Sequence, residues 1–366
     1  MKRMSKAPAA QLAEQKRREF REMNPQHPYN SPPSDSKRLL IRIACIALAV
    51  VVLLLLLYQV GRNLETGGKV EEPRGSLEGR FEELPVIQYN GKSYQFREKL
   101  TSILLLGVDT WSDREVAKDD YRNGGQSDFL LLTVIDHEQK TITPLQIDRD
   151  TMTEITILGI LGNVSGTRNM QICLSHGFGN GGAQSSGFTV DAVSKLLLGV
   201  PVDFYVTMQL DGISTLNDAL GGVTVTLEDD FTSLDPAMTP GTTLTLQGKQ
   251  AEYFARYRMS IGVGTNESRM VRQQVYIQKA TELFDADLQK NANFVGHLFD
   301  TLEPYLETSM KRARMINETW STRQYERVPT IQLQGEHTHG KTGFVEFHPD
   351  AEALTETVLE LFYKEI

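Results

Sequence analysis

An apolar run of eighteen residues without a charge, Ile43 to Val60 (IACIALAVVVLLLLLYQV), constrains this chain more than any other feature. In hydrocarbon every backbone polar group must be paired within the segment, so such a run crosses a bilayer as a helix. Eighteen residues at about 1.5 Å each give about 27 Å, close to the roughly 30 Å hydrocarbon core. Lys37, Arg38 and Arg42 stand on one side of it, with Lys16, Arg17, Arg18 and Arg21 further back. That bias predicts a single-pass protein of the cell membrane with a cytoplasmic N-terminus and an extracytoplasmic C-terminal domain. A cleaved signal peptide is the plain alternative. It would carry a much shorter polar lead and an A-x-A-like site after the run, and neither is present.

Charge divides with the predicted membrane. Residues 1–42 hold ten Lys/Arg against four Asp/Glu, a net of +6, whereas the whole chain carries -9, which leaves -15 for the remainder. An acidic ectodomain has no basic excess to neutralise phosphates along a nucleic acid, and that class of partner is excluded. Cys45 lies inside the apolar run, so Cys173 is alone outside it and no disulfide framework or C-x-x-C motif exists. Stability must come from a hydrophobic core. The sequons at Asn163, Asn266 and Asn317 carry meaning only in a secretory-pathway host.

The chain divides into a basic, disordered tail (1–42), the anchor (43–60) and a Gly-, Pro- and charge-rich juxtamembrane linker (61–84). A folded domain (85–285) and a helical extension packed on it (286–366) complete the division. Asn90-Gly91 between short apolar stretches signals a hairpin in Pro85–Phe96. Ser102–Val108 (SILLLGV) and Phe129–Ile135 (FLLLTVI) are continuous apolar runs of strand length, suited to cover on both faces. Thr141–Ile147 pairs with the second through a turn at His137–Lys140. Helices are predicted at Thr189–Leu198, Gly212–Leu220, Gln250–Tyr257, Arg269–Phe284, Phe294–Leu306 and Ala351–Tyr363, with strands at Phe204–Met208 and Val223–Leu227. The fold class is α/β, a mixed central sheet surrounded by helices.

Carboxylates and guanidiniums gather at the ends of these elements. Asp109 follows the first buried strand (LLLGVDT), Asp128 precedes the second (GGQSDFLLL), and Arg149 and Asp150 end the third (IDRDTM). Arg256 and Arg258 form ARYR; Arg269, Arg272, Gln273 and Gln274 form SRMVRQQ. Each has an ordinary explanation alone: a turn or cap aspartate, a surface ion pair, a solvated helix face. Together they make a hard-cation site beside a guanidinium cluster, which suits a pyrophosphate. GFGNGG at 177–182 lacks the preceding strand and following lysine of a phosphate loop and reads as a flexible loop. His337, His339 and His348 read as solvated surface rather than metal ligands. No Ser or Cys triad is evident, which favours direct transfer over a covalent intermediate.

Six ordered segments (LLLGVD, SDFLLLTV, LQIDRDT, LLLGVPVDFYVTMQLDGISTLNDALGGVTVT, LQGKQAEYFARYR and SRMVRQQ) resemble the LytR-CpsA-Psr (LCP) domain over about residues 100–285. The resemblance implies a membrane-anchored ligase that takes a glycopolymer, such as a wall teichoic acid or capsule, from a polyprenyl-pyrophosphate carrier. It joins that polymer to peptidoglycan through a phosphodiester. It also implies an apolar tunnel for the prenyl tail and a magnesium ion (Mg2+) at the pyrophosphate. Asp109 and Asp128 match the family carboxylates near that ion. Arg149, Arg256, Arg258, Arg269 and Gln273 match pyrophosphate-contacting or adjacent polar positions, with Arg272 beside them; Asp150 matches the aspartate that follows the third-strand arginine, and we assign it the orientation of that arginine or the handling of a proton. Two positions depart. Gln126 replaces the usual arginine of R-S-D, with Arg122 the nearby candidate replacement, and Asn266 replaces an aspartate three residues before Arg269. The region usually reading K-x-N-A-A-x-x-x-G is RNMQICLSHGFGNGG. These departures leave open a non-catalytic polyprenyl-phosphate-binding assembly or regulatory protein, and a polyprenyl-pyrophosphate phosphohydrolase is a third reading.

Overall fold

The computed structural model of the chain describes residues 86–109, 124–159, 162–258, 261–341 and 343–366, with Lys16 and Arg18. The predicted anchor and linker, Arg122 and, those two residues apart, the basic tail lie outside the described residues. Among the described residues no helix is long and apolar enough to cross a membrane. All of the architecture below belongs to one unit of the chain, Gly67–Ile366.

β1 (Ile87–Tyr89) and β2 (Lys92–Phe96) form the predicted hairpin, with φ of 49° at Asn90 and 77° at Gly91, the left-handed pair an Asn-Gly turn favours. β3 (Leu100–Asp109), β4 (Gln126–Asp136) and β5 (Thr141–Ile147) follow as antiparallel neighbours. Asp136 sets the β4–β5 turn: its Oδ1 accepts from the backbone N–H of Glu138 and of Gln139, both at 2.8 Å.

The hairpin of β6 (Met152–Leu158) and β7 (Val164–Gln171) stands apart from the central sheet, and its short patterns were not legible beforehand. α1 (Leu174–Gly177) and α2 (Ala183–Leu196) come next. α2 begins six residues before the predicted Thr189. Its first turn looks polar in sequence, yet Ser185 and Ser186 are fully buried, and Ser186 Oγ lies 2.8 Å from Thr207 Oγ1. β8 (Phe204–Gln209), α3 (Gly212–Ala219), β9 (Thr224–Thr226), β10 (Thr243–Thr245), α4 (Lys249–Arg256) and α5 (Asn266–Lys290) complete the predicted domain. Thr265 caps α5, its side chain accepting from Ser268 N–H.

Residues 286–366 hold α6 (Phe294–Leu302), β11 (Leu306–Thr308), α7 (Arg312–Ser321), β12 (Glu326–Arg327), β13 (Ile331–Gln332), β14 (Gly335–His339), β15 (Val345–Pro349), α8 (Ala351–Phe362) and β16 (Tyr363–Glu365). They do more than lay helices on the domain. The central sheet has the order β11-β8-β3-β4-β5-β12, with β13 also on β5, so this segment supplies both edges. β16 joins β2 as well. Strands of two or three residues carry no readable period; their partners specify them.

β8 runs parallel to β3, and β12 and β13 run parallel to β5, so the sheet is mixed as expected. Its two faces differ. Leu104, Leu106, Leu130 and Leu132 are buried in one cluster with Ala192 and Val193 of α2 and Phe362 of α8. On the opposite face Ile103, Leu105, Phe129 and Val206 remain only half-buried, although they sit on central strands. A second apolar cluster joins Val223, Leu227, Phe231, Phe254 and Tyr276 around α3, α4 and α5.

Candidate active site

Strand pairing brings three strand ends to one end of the sheet: Asp109 pairs with Gln126, and Leu130 with Ile147. The β3–β4 register slips between Gly107 and Val108, for Gly107 faces Phe129 while Val108 faces Ser127. Asp128 is therefore the extra residue of a β-bulge, released from the strict alternation of the strand. Gly107 makes room for this, since a Cβ there would stand 3.0 Å from Phe129 Cβ.

Arg149 leaves the turn after β5 and enters this end. Its Nη1 lies 2.6 Å from Asp128 Oδ1 and its Nε 3.6 Å from Asp150 Oδ1. Its Nη2 donates to Gln126 Oε1 at 2.5 Å and to Cys173 Sγ at 3.1 Å. Burial works against the Arg149 charge, but Cys173, Asp128 and Asp150 raise its pKa overall. Burial in turn raises the Asp150 carboxyl, against the pull of Arg149, and pushes the Cys173 thiol up to about 11. That thiol is neutral and inert at physiological pH.

From the other side come α4 and α5. Arg256, at the end of α4, bonds Asp109 and, at 2.9 Å, Glu252 Oε1. Arg269 is 3% exposed, donates from Nη2 to Asn266 Oδ1 at 2.6 Å and lies 3.7 Å from Asp128 Oδ2. Burial, with Arg149 and Arg258 close by, lowers its pKa in spite of Asp128. The side chain of half-buried Arg258 makes no hydrogen bond or ion pair among the described residues, while its charge acts on both Asp150 and Arg269. Arginine cannot relieve such crowding by losing a proton, so an added anion is what relieves it.

Asp109 and Asp128 are the residues that could hold a divalent cation. Asp128 Oδ1, 2.6 Å from Arg149 Nη1, is buried and accepts no hydrogen bond. Among the described residues no group of three His, Cys, Asp or Glu is assembled. A cation here would need phosphate and water as its remaining ligands, which is the habit of magnesium. The donor set fits that ion.

Arg272 and Gln273 stand elsewhere. Arg272 donates to the carbonyls of Phe254 (3.1 Å) and Tyr257 (2.6 Å), lies 3.5 Å from Asp229, and covers the Phe231 ring. Gln273 donates to the Ala255 carbonyl at 3.1 Å. Both satisfy the final carbonyls of α4 and so brace the segment that carries Arg256 and Arg258.

The structure adds residues that the sequence reading passed over. Asp148, 6% exposed, directly precedes Arg149 in LQIDRDT, and that adjacency was the available signal. His337 is exposed, as expected, but it stands on a strand and not in a loop: it lies on β14 with Nε2 2.9 Å from Asp148 Oδ2 and Nδ1 2.9 Å from Glu267 Oε1. His176 is buried, with Nδ1 donating to the Gly124 carbonyl at 2.5 Å, and burial pushes its pKa down to about 4. GFGNGG links α1 to α2 tightly rather than loosely, since a Cβ on Gly179 would meet the Ser185 backbone.

The sequence model of the LytR_cpsA_psr family matches residues 76–361. The chain belongs to this family. It is 28% identical over 215 residues to the polyisoprenyl-teichoic acid–peptidoglycan teichoic acid transferase TagU of Halalkalibacterium halodurans, covering 57% of this chain and 61% of that one. It is 31% identical over 203 residues to biofilm regulatory protein A of Streptococcus mutans, covering 52% of this chain and 45% of that one. In both cases the match spans less than two thirds of the relative. The structure of TagT bound to LI-WTA superposes with a TM-score of 0.55 at 21% identity, covering 72% of this chain and 90% of that one, which shows a shared fold.

Proposed function

We propose that this LytR_cpsA_psr protein is a membrane-anchored phosphotransferase that moves a glycopolymer from a polyprenyl-pyrophosphate carrier to peptidoglycan. The observation that carries the reading is the joining of two unlike surfaces. Crowded Arg149, Arg258 and Arg269 stand at the end of a sheet face whose apolar residues Ile103, Leu105, Phe129 and Val206 are incompletely covered. A lipid with an anionic head and a long apolar tail matches both. The predicted anchor at 43–60 would keep the protein at the bilayer that its carrier never leaves.

In this reading Arg258 and Arg269 grip the pyrophosphate and Arg149 holds its polymer-side phosphoryl group, with Asp150 orienting Arg149. The acceptor sugar hydroxyl attacks the polymer-side phosphorus and the phosphoanhydride bond breaks. The prenyl monophosphate leaves with the electron pair and, in net terms, the hydroxyl proton. Asp109 and Asp128 would hold magnesium, which supplies charge neutralisation at the phosphate oxygens when bound. The names of the curated relatives support the substrate class.

One observation favours a second reading, a non-catalytic polyprenyl-phosphate-binding protein. Gln126 supplies a neutral amide that engages Arg149, where the family resemblance leads one to expect another cation. Full-length protein in detergent, incubated with lipid-linked glycopolymer, peptidoglycan oligomers and magnesium, separates the possibilities. Polymer attached to peptidoglycan is the expected result. Phosphate release without attachment would mark a hydrolase, and tight lipid binding with neither product would sink both enzymatic readings.

A further inference from the structure

The β14–β15 hairpin is docked on the turn that carries Arg149. Phe347 N–H donates to the Asp150 carbonyl at 2.8 Å, and Thr151 bridges to Phe347. Gln171 Nε2 donates to Asp150 Oδ1 at 3.2 Å and to the Val345 carbonyl at 2.7 Å. His337, paired with Phe347 in the hairpin and 4.8 Å from its ring, reaches Asp148 Oδ2. Asp148 Oδ1 accepts from Asp150 N–H and from Asn266 Nδ2, each at 2.8 Å. Asn266, 7% exposed, accepts from Arg269 Nη2 at 2.6 Å. A continuous path of side chains thus runs from His337 through Asp148 and Asn266 to Arg269.

We infer that Asn266 and His337 are positioning residues, holding Arg269 and the Arg149 turn in the geometry that receives a pyrophosphate. This rests on the transferase reading above. Position 266 must donate to a carboxylate and accept from a guanidinium, and a primary amide does both. A carboxylate there would set a second buried negative charge against Asp148 and withdraw the donor. Asn266 is therefore the complement of Asp148, and its departure from the family pattern is not a lost function. His337 secures the far side of Asp148 from the hairpin, which gives the 286–366 segment a part in the site.

The test uses full-length protein in detergent, with inorganic pyrophosphate and magnesium as the calorimetric probe and thermal unfolding measured on the same samples. Asn266→Asp is expected to weaken pyrophosphate binding about tenfold, the scale of one charged hydrogen bond. Combining it with Asp148→Asn removes the repulsion between the two carboxylates and is expected to recover part of that loss. His337→Phe keeps a ring on Phe347 but removes the ring nitrogens, and is expected to weaken binding about threefold with the unfolding temperature nearly unchanged. Wild-type binding in both Asn266→Asp and His337→Phe would overturn the inference. So would a folded double variant that binds no better than Asn266→Asp alone. Absence of pyrophosphate binding by the wild type, with Asp148 and Asn266 still coupled in unfolding, would sink the transferase reading itself and reduce the path to a packing tie.

Discussion

Arg269 and Arg272 stand one turn apart on α5, at 3% and 7% exposure, and serve opposite ends. Arg272 directs donors to two backbone carbonyls and lies over an aromatic ring, so its hydrogen bonds tie α5 to the end of α4. Arg269 has an amide, a carboxylate at 3.7 Å and two other guanidiniums as neighbours. Burial alone does not distinguish a strut from a binding group. What distinguishes them is whether the surroundings already supply the acceptors.

The largest effect expected lies on the site side of this comparison. Arg149→Ala should lower transfer about 10²–10³-fold, measured as polymer attached to peptidoglycan, while the fold remains intact by circular dichroism. Unchanged transfer would refute the site. Arg272→Ala should do the converse, lowering unfolding free energy by about 3 kcal/mol because it strips the donors from two backbone carbonyls and a ring contact from a buried junction. Its folded fraction should retain near-normal pyrophosphate affinity; loss of affinity at full stability would erase the distinction drawn here.

A pH series tests the support beneath the site independently of the arginines, which do not titrate. His176 has a folded pKa of about 4 against the ordinary value of 6.5. Between those values the unfolded chain binds more protons, so this contribution to stability is whole above about pH 6.5 and falls as pH drops toward 4, by about 3 kcal/mol at most. Replacing it, His176→Gln, should flatten that part of the profile; an unaltered slope would show that the ring does not carry it. Arg258→Ala should weaken pyrophosphate binding about tenfold with little change in unfolding temperature, since among the described residues its side chain has no hydrogen bond to lose and its attraction to Asp150 is offset by repulsion from Arg269. The smallest effect is assigned to Gln126→Arg, about a threefold gain in pyrophosphate affinity, because the added cation also repels Arg149 when no anion is bound.

Much of the central architecture was readable in advance. β3 and β4 are long apolar runs whose middle positions have no other place to go, and the Asp136–Lys140 turn fixes their successor. Most of the arginines and aspartates that gather at this end of the sheet were readable as a candidate site too, since chemistry-bearing residues at strand ends stand out against apolar runs. His337 is exposed as read, but its pairing was missed for a physical reason: in sequence it sits among polar residues, and its partner Asp148 is 189 positions away. β11, β12 and β13 were missed because strands so short take their conformation from the sheet edge they join.

The sequence by itself therefore determined the order of the buried strands, the main helices and the supply of charge at the sheet's end, because apolar period and residue chemistry are local properties. Tertiary structure alone decided that Arg269 meets Asp128 and two other guanidiniums while Arg272 braces α4. It also decided that a bulge frees Asp128 and that the β14–β15 hairpin closes on the Arg149 turn. Those are matters of which donor meets which acceptor, and the pairing exists only once distant segments have packed together.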